Sequence, residues 1–305
     1  MDRFFVVDKP PGLTSHDVVA VIRAVTGFKK VGHTGTLDPF ATGVLPIAVE
    51  GATKFIQYLD ESVKIYDATV ELGRATDTGD PTGTVSAEAP VPPLRRAEVE
   101  RVLASFIGPR MQVPPKYSAV KLGGRPLYSY ARQGVAVEVS ARPIVIEGMD
   151  LLELEPPRLR VLIRCSRGTY ARVIAEELGT ALGTVGHLSA LRRVRSGPFV
   201  EENVLSFRQL SEVVAGDSAW DRVLRAARGQ DRVVWRGREE VRAGLDRWLI
   251  RPREVLRHLP AITLTAIEER RFRTSGALPA RPLASGSATV LLSGEDVLGV
   301  VPPAR

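Results

Sequence analysis

Ile65-Tyr66-Asp67-Ala68-Thr69-Val70-Glu71-Leu72 alternates, with Tyr66, Ala68, Val70 and Leu72 on one side and Asp67, Thr69 and Glu71 on the other. A period of two describes a strand with one face in a core and the other toward solvent. Leu159, Val161, Ile163 and Cys165 repeat the pattern. Half-buried strands of this kind belong to antiparallel or mixed sheets rather than to the fully buried strands of strict βαβ repeats. Working outward, Phe4–Val7 reads as a short strand and Lys9-Pro10-Pro11-Gly12 as a turn. Thr14 and Asp17 form a capping box for a helix with Val18, Ile22 and Val25 on one face, closed by Gly27. A polar, glycine-rich loop is expected from Val31 to Gly43. Val44–Val49 follows as a strand in which Pro46 predicts an edge position or a bulge. Val99, Val102, Leu103 and Phe106 mark a helix stopped by Gly108-Pro109, and another helix starts near Thr169. The expected fold class is α+β, a mixed and mainly antiparallel sheet flanked by helices.

The composition shifts after about Leu210. Trp220, Trp235 and Trp248 all fall in a helical, arginine-rich stretch before Leu259. Thr265 and Glu268 then predict a second capping box, with a helix ending near Gly276. Ala288–Leu292 and Val297–Val301 are spaced to pair as a hairpin across Ser293–Asp296. The reading divides the chain at 255, with residues 211–255 an atypical helical segment and 256–305 a small appended unit.

Of 305 residues, 44% are hydrophobic, enough for a substantial core. No apolar run approaches the roughly 18 residues of a membrane span, and Met1–Val7 lacks a signal-peptide layout, so a cytoplasmic protein is expected. A single cysteine, Cys165, excludes an internal disulfide, and with four scattered histidines it gives no zinc spacing. No metal or cofactor is therefore expected. The formal charge of +7 suits a polyanionic partner, because lysine and arginine on phosphates release condensed counterions.

The P-loop, the dinucleotide glycine fingerprint, His-Glu-x-x-His and Gly-x-Ser-x-Gly are all absent. What stands out is Gly32-His33-Thr34-Gly35-Thr36-Leu37-Asp38-Pro39, in which Asp38 is the one carboxylate of a loop whose glycines let a ligand approach the backbone. A carboxylate so placed serves as nucleophile or general base, or simply caps an Asp-Pro turn. Arg172 breaks a local rule, since a cation in the first turn of a helix opposes the macrodipole. It reads either as a guanidinium holding a carboxylate by a fork of two hydrogen bonds or as a surface arginine. Tyr66 and Tyr170 are aromatics for stacking on an extruded base, or core rings with a hydroxyl at the rim. Pro114–Arg132 interleaves Lys116, Tyr117, Lys121, Arg125, Tyr128, Tyr130 and Arg132, a pattern suited to RNA and also to a solvated loop.

Taken together, Gly32–Leu45 resembles the catalytic motif of the TruB-type tRNA pseudouridine-55 synthases. Asp8-Lys9-Pro10 with Gly12 and Ser15, Tyr66 before Leu72-Gly73, and Thr76-Asp77-Thr78-Gly79-Asp80 with Gly83 match in the same order. The Pro114–Arg132 block, Cys165–Arg172, His187-Leu188 and Leu191-Arg192-Arg193 complete a resemblance covering about residues 1–210. It implies uridine-to-pseudouridine isomerisation in the T-arm of tRNA, without a cofactor, membrane or obligatory protein partner, by a monomer. It also implies that Asp38 is the catalytic carboxylate, Arg172 its ion-pair partner and Tyr66 the aromatic on the target base. His33, Tyr170 and Leu191 would contact extruded nucleotides, and Lys9 would support the floor of the site. The Pro114–Arg132 block would lie in an RNA-binding insertion, and residues 256–305 would be a compact PUA-like RNA-binding domain, while 211–255 departs from the family pattern. A pure RNA-binding protein, a guide-RNA-dependent pseudouridine synthase and a DNA-binding protein are the alternatives.

Overall fold

The computed structural model describes residues 2–216, 220–280, 282–284 and 286–303. Met1, parts of the 211–255 segment (Asp217 to Ala219) and parts of the tail (Arg281, Ser285, Ala304 and Arg305) lie outside the described residues. Among the described residues, ten strands form one sheet: β1 (Arg3–Lys9), β2 (Val31–His33), β3 (Thr42–Val49), β4 (Val63–Leu72), β5 (Gly108–Gln112), β6 (Arg142–Glu155), β7 (Arg158–Ser166), β8 (Gly186–Ser196), β9 (Phe199–Val200) and β10 (Val204–Ser206). The order across it is β10-β1-β3-β8-β4-β7-β6-β5, with β2 beside β3 and β9 beside β8. Only the β1–β10 and β3–β8 pairs are parallel, so the sheet is mixed and mainly antiparallel as expected.

The alternating stretch is the middle of this sheet. β4 lies between β7 and β8, and its buried residues are Lys64, Tyr66, Ala68, Val70 and Leu72. Their face is covered by α1 (Ser15–Thr26), α2 (Arg96–Ser105) and α3 (Ala171–Ala181). The capping box at Thr14 and Asp17 forms, and α1 ends on a left-handed Gly27. The 211–255 segment joins the same core through the end of α4 (Phe207–Ala215), then α5 (Trp220–Ala227) and α6 (Arg238–Leu245), which pack on α1.

Two expectations change. The loop after α1 begins as strand β2 rather than as coil. Pro46 sits in β3, which is interior to the sheet and not at its edge. There it pairs with Val6 on one side, while its carbonyl accepts from Thr34 N at 3.2 Å on the other. A residue's N–H and C=O point the same way, so the missing donor falls on that second side. On that side β3 is paired with β8 only at Thr42 and Gly43 and with β2 only at Ile47–Val49. Pro46 occupies the gap, and no ladder bond is lost.

The opposite face carries a second apolar cluster, in which Phe4, Val6, Val44, Ala48, Phe55 and Phe199 meet Val255, Leu256, Val290 and Leu292. Val255 and Leu256 end a short helical turn, whereas Val290 and Leu292 come from a small sheet in which β11 (Ala261–Thr263) runs parallel to β12 (Thr289–Ser293), itself antiparallel to β13 (Asp296–Val301). The hairpin and the Thr265–Glu268 capping box are both present, the latter opening α7 (Ala266–Ser275).

Candidate active site

The Gly32–Pro39 stretch leaves the sheet at β2, crosses the helix-covered face and returns at β3. Several buried side chains fix its course. Ser15, on the first turn of α1, accepts from Leu37 N at 2.9 Å through its hydroxyl oxygen. Lys9, with no exposed surface, donates from Nζ to the carbonyls of Pro10, Pro39 and Ala41 at 2.9, 3.0 and 2.7 Å. This ammonium matches three acceptors with its three protons and so fastens the chain just after Asp38. Burial brings its pKa down to about 8, against the opposing pull of Asp38.

Asp38 faces Arg172 across 134 residues of chain. Arg172 Nε lies 2.9 Å from Asp38 Oδ2, and Nη2 donates to Oδ1 at 3.2 Å. Nε makes no well-aligned hydrogen bond, so the expected fork of two hydrogen bonds is an ion pair with one. The remaining guanidinium protons are used elsewhere: Nη1 donates to Thr78 O at 3.0 Å, and Nη2 also donates to Tyr117 O at 2.8 Å. The Arg172 side chain is 3% exposed, which removes the surface-arginine reading, and the cation in the first turn of α3 exists to meet a carboxylate. Burial among protein atoms pushes the Asp38 pKa up, opposed by Arg172 and by Lys9. The carboxylate side chain nevertheless keeps 30% exposure, and water reaching it limits the rise. An ionisable carboxylate is thus held rigidly on one side and open on the other.

Tyr66 lies on β4 below this pair, buried, with its phenol pKa raised by burial and opposed by the neighbouring Arg193. Tyr170 precedes α3, and its main chain exchanges two hydrogen bonds with the Gln112 amide, at 2.8 and 3.2 Å. Both phenols feel the Asp38 charge, so Asp38, Arg172, Tyr66, Lys9 and Tyr170 converge. His33 stands apart at the start of the loop, its ring edge-on to His16 at 5.2 Å between centroids. Desolvation, with help from His16, Arg193 and Lys64, lowers its pKa to about 4. Leu191 is buried on β8, opposite Ala68, and its carbonyl accepts from Thr42 Oγ1 at 3.4 Å. A cavity of about 280 Å³ beside Leu191 and Phe40 is lined also by Asp67, Thr69, Arg160 and Arg192, which belong to the sheet face opposite Tyr66. Neither Asp38 nor Arg172 lines it, so it is not where a carboxylate reaction would occur.

Sequence reasoning missed two residues here. Asp80 is buried, with Oδ2 3.6 Å from Arg172 Nη1 and Oδ1 accepting from Thr78 Oγ1, Thr82 N and Thr82 Oγ1 at 2.8, 2.9 and 2.6 Å. Its signal was the Thr76–Asp80 motif, matched to the family but given no role in the site. Arg193 is fully buried beneath the loop. In the Pro114–Arg132 block, Arg132 lies over the Tyr128 ring and Arg125 over Tyr130, at 5.5 and 5.1 Å, on the exposed surface. Tyr117 O ties that block to Arg172.

Comparison with known proteins gives the family. Residues 23–171 match the TruB family pseudouridylate synthase N-terminal domain, and residues 172–227 match the tRNA pseudouridylate synthase B C-terminal domain. The second match runs into the segment that departed from the family pattern as read from sequence. The tRNA pseudouridine synthase B of Geobacter sulfurreducens is 43% identical over 273 residues, 90% of this chain and 81% of that protein. Its namesake in Geotalea uraniireducens is 46% identical over 222 residues, 72% of each. The solved structure of a Cbf5-Nop10-Gar1 complex superposes with a TM-score of 0.67 at 25% identity, over 98% of this chain and 77% of that one.

Proposed function

The chain belongs to the TruB family of pseudouridylate synthases, and we propose that it isomerises uridine 55 in the T-loop of tRNA to pseudouridine, with Asp38 as the reacting carboxylate. The observation that carries the reading is the Asp38–Arg172 ion pair, which joins the loop to α3 and leaves one side of the carboxylate open.

In the reaction the C1′–N1 bond of the uridine breaks and a C1′–C5 bond forms. The C5 hydrogen departs as a proton and N1 gains one, so no oxidant, reductant or energy source is consumed. Reaching C1′ in a folded loop requires extruding the base, at a cost of a few kcal/mol. Stacking on Tyr66 offsets about 1–3 kcal/mol of that. Asp38 then attacks C1′, adds to C6 or assists a glycal intermediate; all three routes need it ionised, which is the state Arg172 and Lys9 favour against burial. Tyr170, His33 and Leu191 line the approach for neighbouring nucleotides. Lys9 holds the floor, and Pro114–Arg132 with residues 256–305 supplies phosphate contacts. The protein is read as a cytoplasmic monomer acting on the T-arm without a protein partner. Its 43–46% identity to two proteins named tRNA pseudouridine synthase B, against 25% to a chain of the Cbf5-Nop10-Gar1 complex, favours this over the guide-RNA-dependent alternative.

Uridine carrying tritium at C5, placed in an unmodified tRNA transcript, tests the reaction. One tritium per tRNA should pass to water with the RNA mass otherwise unchanged. No release under conditions where the transcript binds would remove the isomerase reading.

A further inference from the structure

The loop that carries Asp38 is fastened on both sides by buried cations. Lys9 holds the carbonyls of Pro39 and Ala41 after Asp38. Before it and at its return to the sheet, Arg193 takes over: Nη2 donates to Gly35 O at 3.1 Å, Nη1 to Thr36 O at 3.4 Å and Nε to Val44 O at 2.8 Å. Each nitrogen of one planar group is thus spent on a different carbonyl, and these carbonyls bracket residues 37–43. Arg193 also stands directly opposite Tyr66 in the β4–β8 ladder, and its charge opposes the rise that burial gives the phenol pKa. The same residue is therefore bonded to the catalytic loop and cross-strand neighbour to the ring expected to stack on the base.

We propose that Arg193 is a positioning residue for the isomerisation, setting Asp38 and Tyr66 in one fixed relation. A purely stabilising role explains it poorly. The guanidinium has no exposed surface, its hydrogen-bond acceptors are carbonyl oxygens rather than a carboxylate, and Lys64 nearby is a like charge. Burying a charge costs desolvation, and well-packed apolar atoms of the same volume often stabilise a fold as well or better. What it provides instead is geometry. A planar fork reaches Val44, Thr36 and Gly35 together, and the single nitrogen of a lysine does not. Close approach supports the arrangement: a Cβ on Gly43 would overlap the Arg193 carbonyl, and one on Gly35 would lie 2.9 Å from Lys64 Nζ and 3.6 Å from Arg193 Nη1. Gly43 also has φ +97°, which other residues rarely adopt.

The inference rests on the reaction proposed above, and the test separates the two. Wild-type protein is first assayed for pseudouridine formation; no product would defeat the reaction itself, not the role of Arg193. Arg193→Lys and Arg193→Gln are then compared with Leu210→Ala, a core truncation in α4 outside the groups that hold the loop, all well below their melting midpoints. Loss of registration of this order costs about 100-fold in rate. We expect kcat for Arg193→Lys to fall by about that factor with KM within threefold of wild type. Leu210→Ala should lose as much thermal stability with kcat unchanged. Three results overturn the proposal: kcat of a folded Arg193 variant within threefold of wild type, a loss confined to KM, or failure of both variants to fold, which assigns Arg193 to the fold alone.

Discussion

The Asp38 loop and the C-terminal unit lie on opposite faces of one sheet and treat charge in opposite ways. Around the loop, Lys9, Arg172 and Arg193 are buried and their donors are committed to carbonyls or to Asp38. In the C-terminal unit, α7 has no buried residue, and Arg270 and Arg271 are exposed beside an Ile267 that is 67% exposed. That helix is held by Phe272 packed against Gly299 and by Ser293 Oγ donating to Glu269 at 2.7 Å. Chemistry at C1′ tolerates little displacement, so its cations are spent on holding one geometry. Phosphates need only charge within reach, and the proposed tRNA-binding role of this unit would ask no more of its arginines than an exposed helix provides.

If this contrast is sound, substitutions in the loop change rate and substitutions on α7 change binding. The largest effect belongs to Asp38→Asn, which keeps the shape but is a poor nucleophile. Turnover should fall roughly 10⁴-fold or more with tRNA affinity within threefold, read by single-turnover assay and filter binding. Activity within about tenfold of wild type would take Asp38 out of the chemistry. Arg172→Lys comes next, with a loss of about 100-fold in kcat, because one ammonium cannot reach Asp38, Thr78 O and Tyr117 O at once. A fully active lysine variant would reduce Arg172 to a generic counter-charge.

On the other face, Arg270→Ala with Arg271→Ala should leave saturated turnover unchanged and weaken tRNA binding several-fold at low salt. The slope of log affinity against log salt should become shallower by about one for each phosphate that the variant leaves unneutralised. Equal slopes for variant and wild type would leave the unit a structural cap. These point substitutions are cleaner than deleting residues 256–305, which would strip Leu256, Val290 and Leu292 from Phe4, Val6 and Val44. The smallest effect is on acid stability. His33 has a folded pKa of about 4 against an ordinary 6.5, so as pH falls through this window the unfolded chain takes up the proton first. Stability is therefore lost between about pH 6.5 and 4, and His33→Gln should flatten that part of the melting curve's pH dependence. Parallel wild-type and variant profiles would mean that the imidazole is not desolvated.

Local patterns were legible in the sequence because they rest on local physics. The alternation of β4 and β7 and the capping boxes at Thr14–Asp17 and Thr265–Glu268 all depend on residues a few positions apart. Arg193 was not legible for a specific reason. Counting by twos from buried Leu188 turns Ala190 and Arg192 inward. A break in register between Leu188 and Ala190 shifts the pattern, so that Leu191 and Arg193 face the core instead. Asp80 stood in a matched motif without a role because its partner, Arg172, lies on a distant helix. Pro46 misled because the gap between two partial neighbours of β3 exists only in the assembled sheet.

The central claim is that the fixed Asp38 site acts on one uridine of tRNA, and site-resolved mapping tests it most directly. Full-length unmodified tRNA transcript is incubated with the protein and every pseudouridine is located chemically. One modification, at position 55 of the T-loop, is the result expected. No pseudouridine, or pseudouridine only at other positions, would contradict the account.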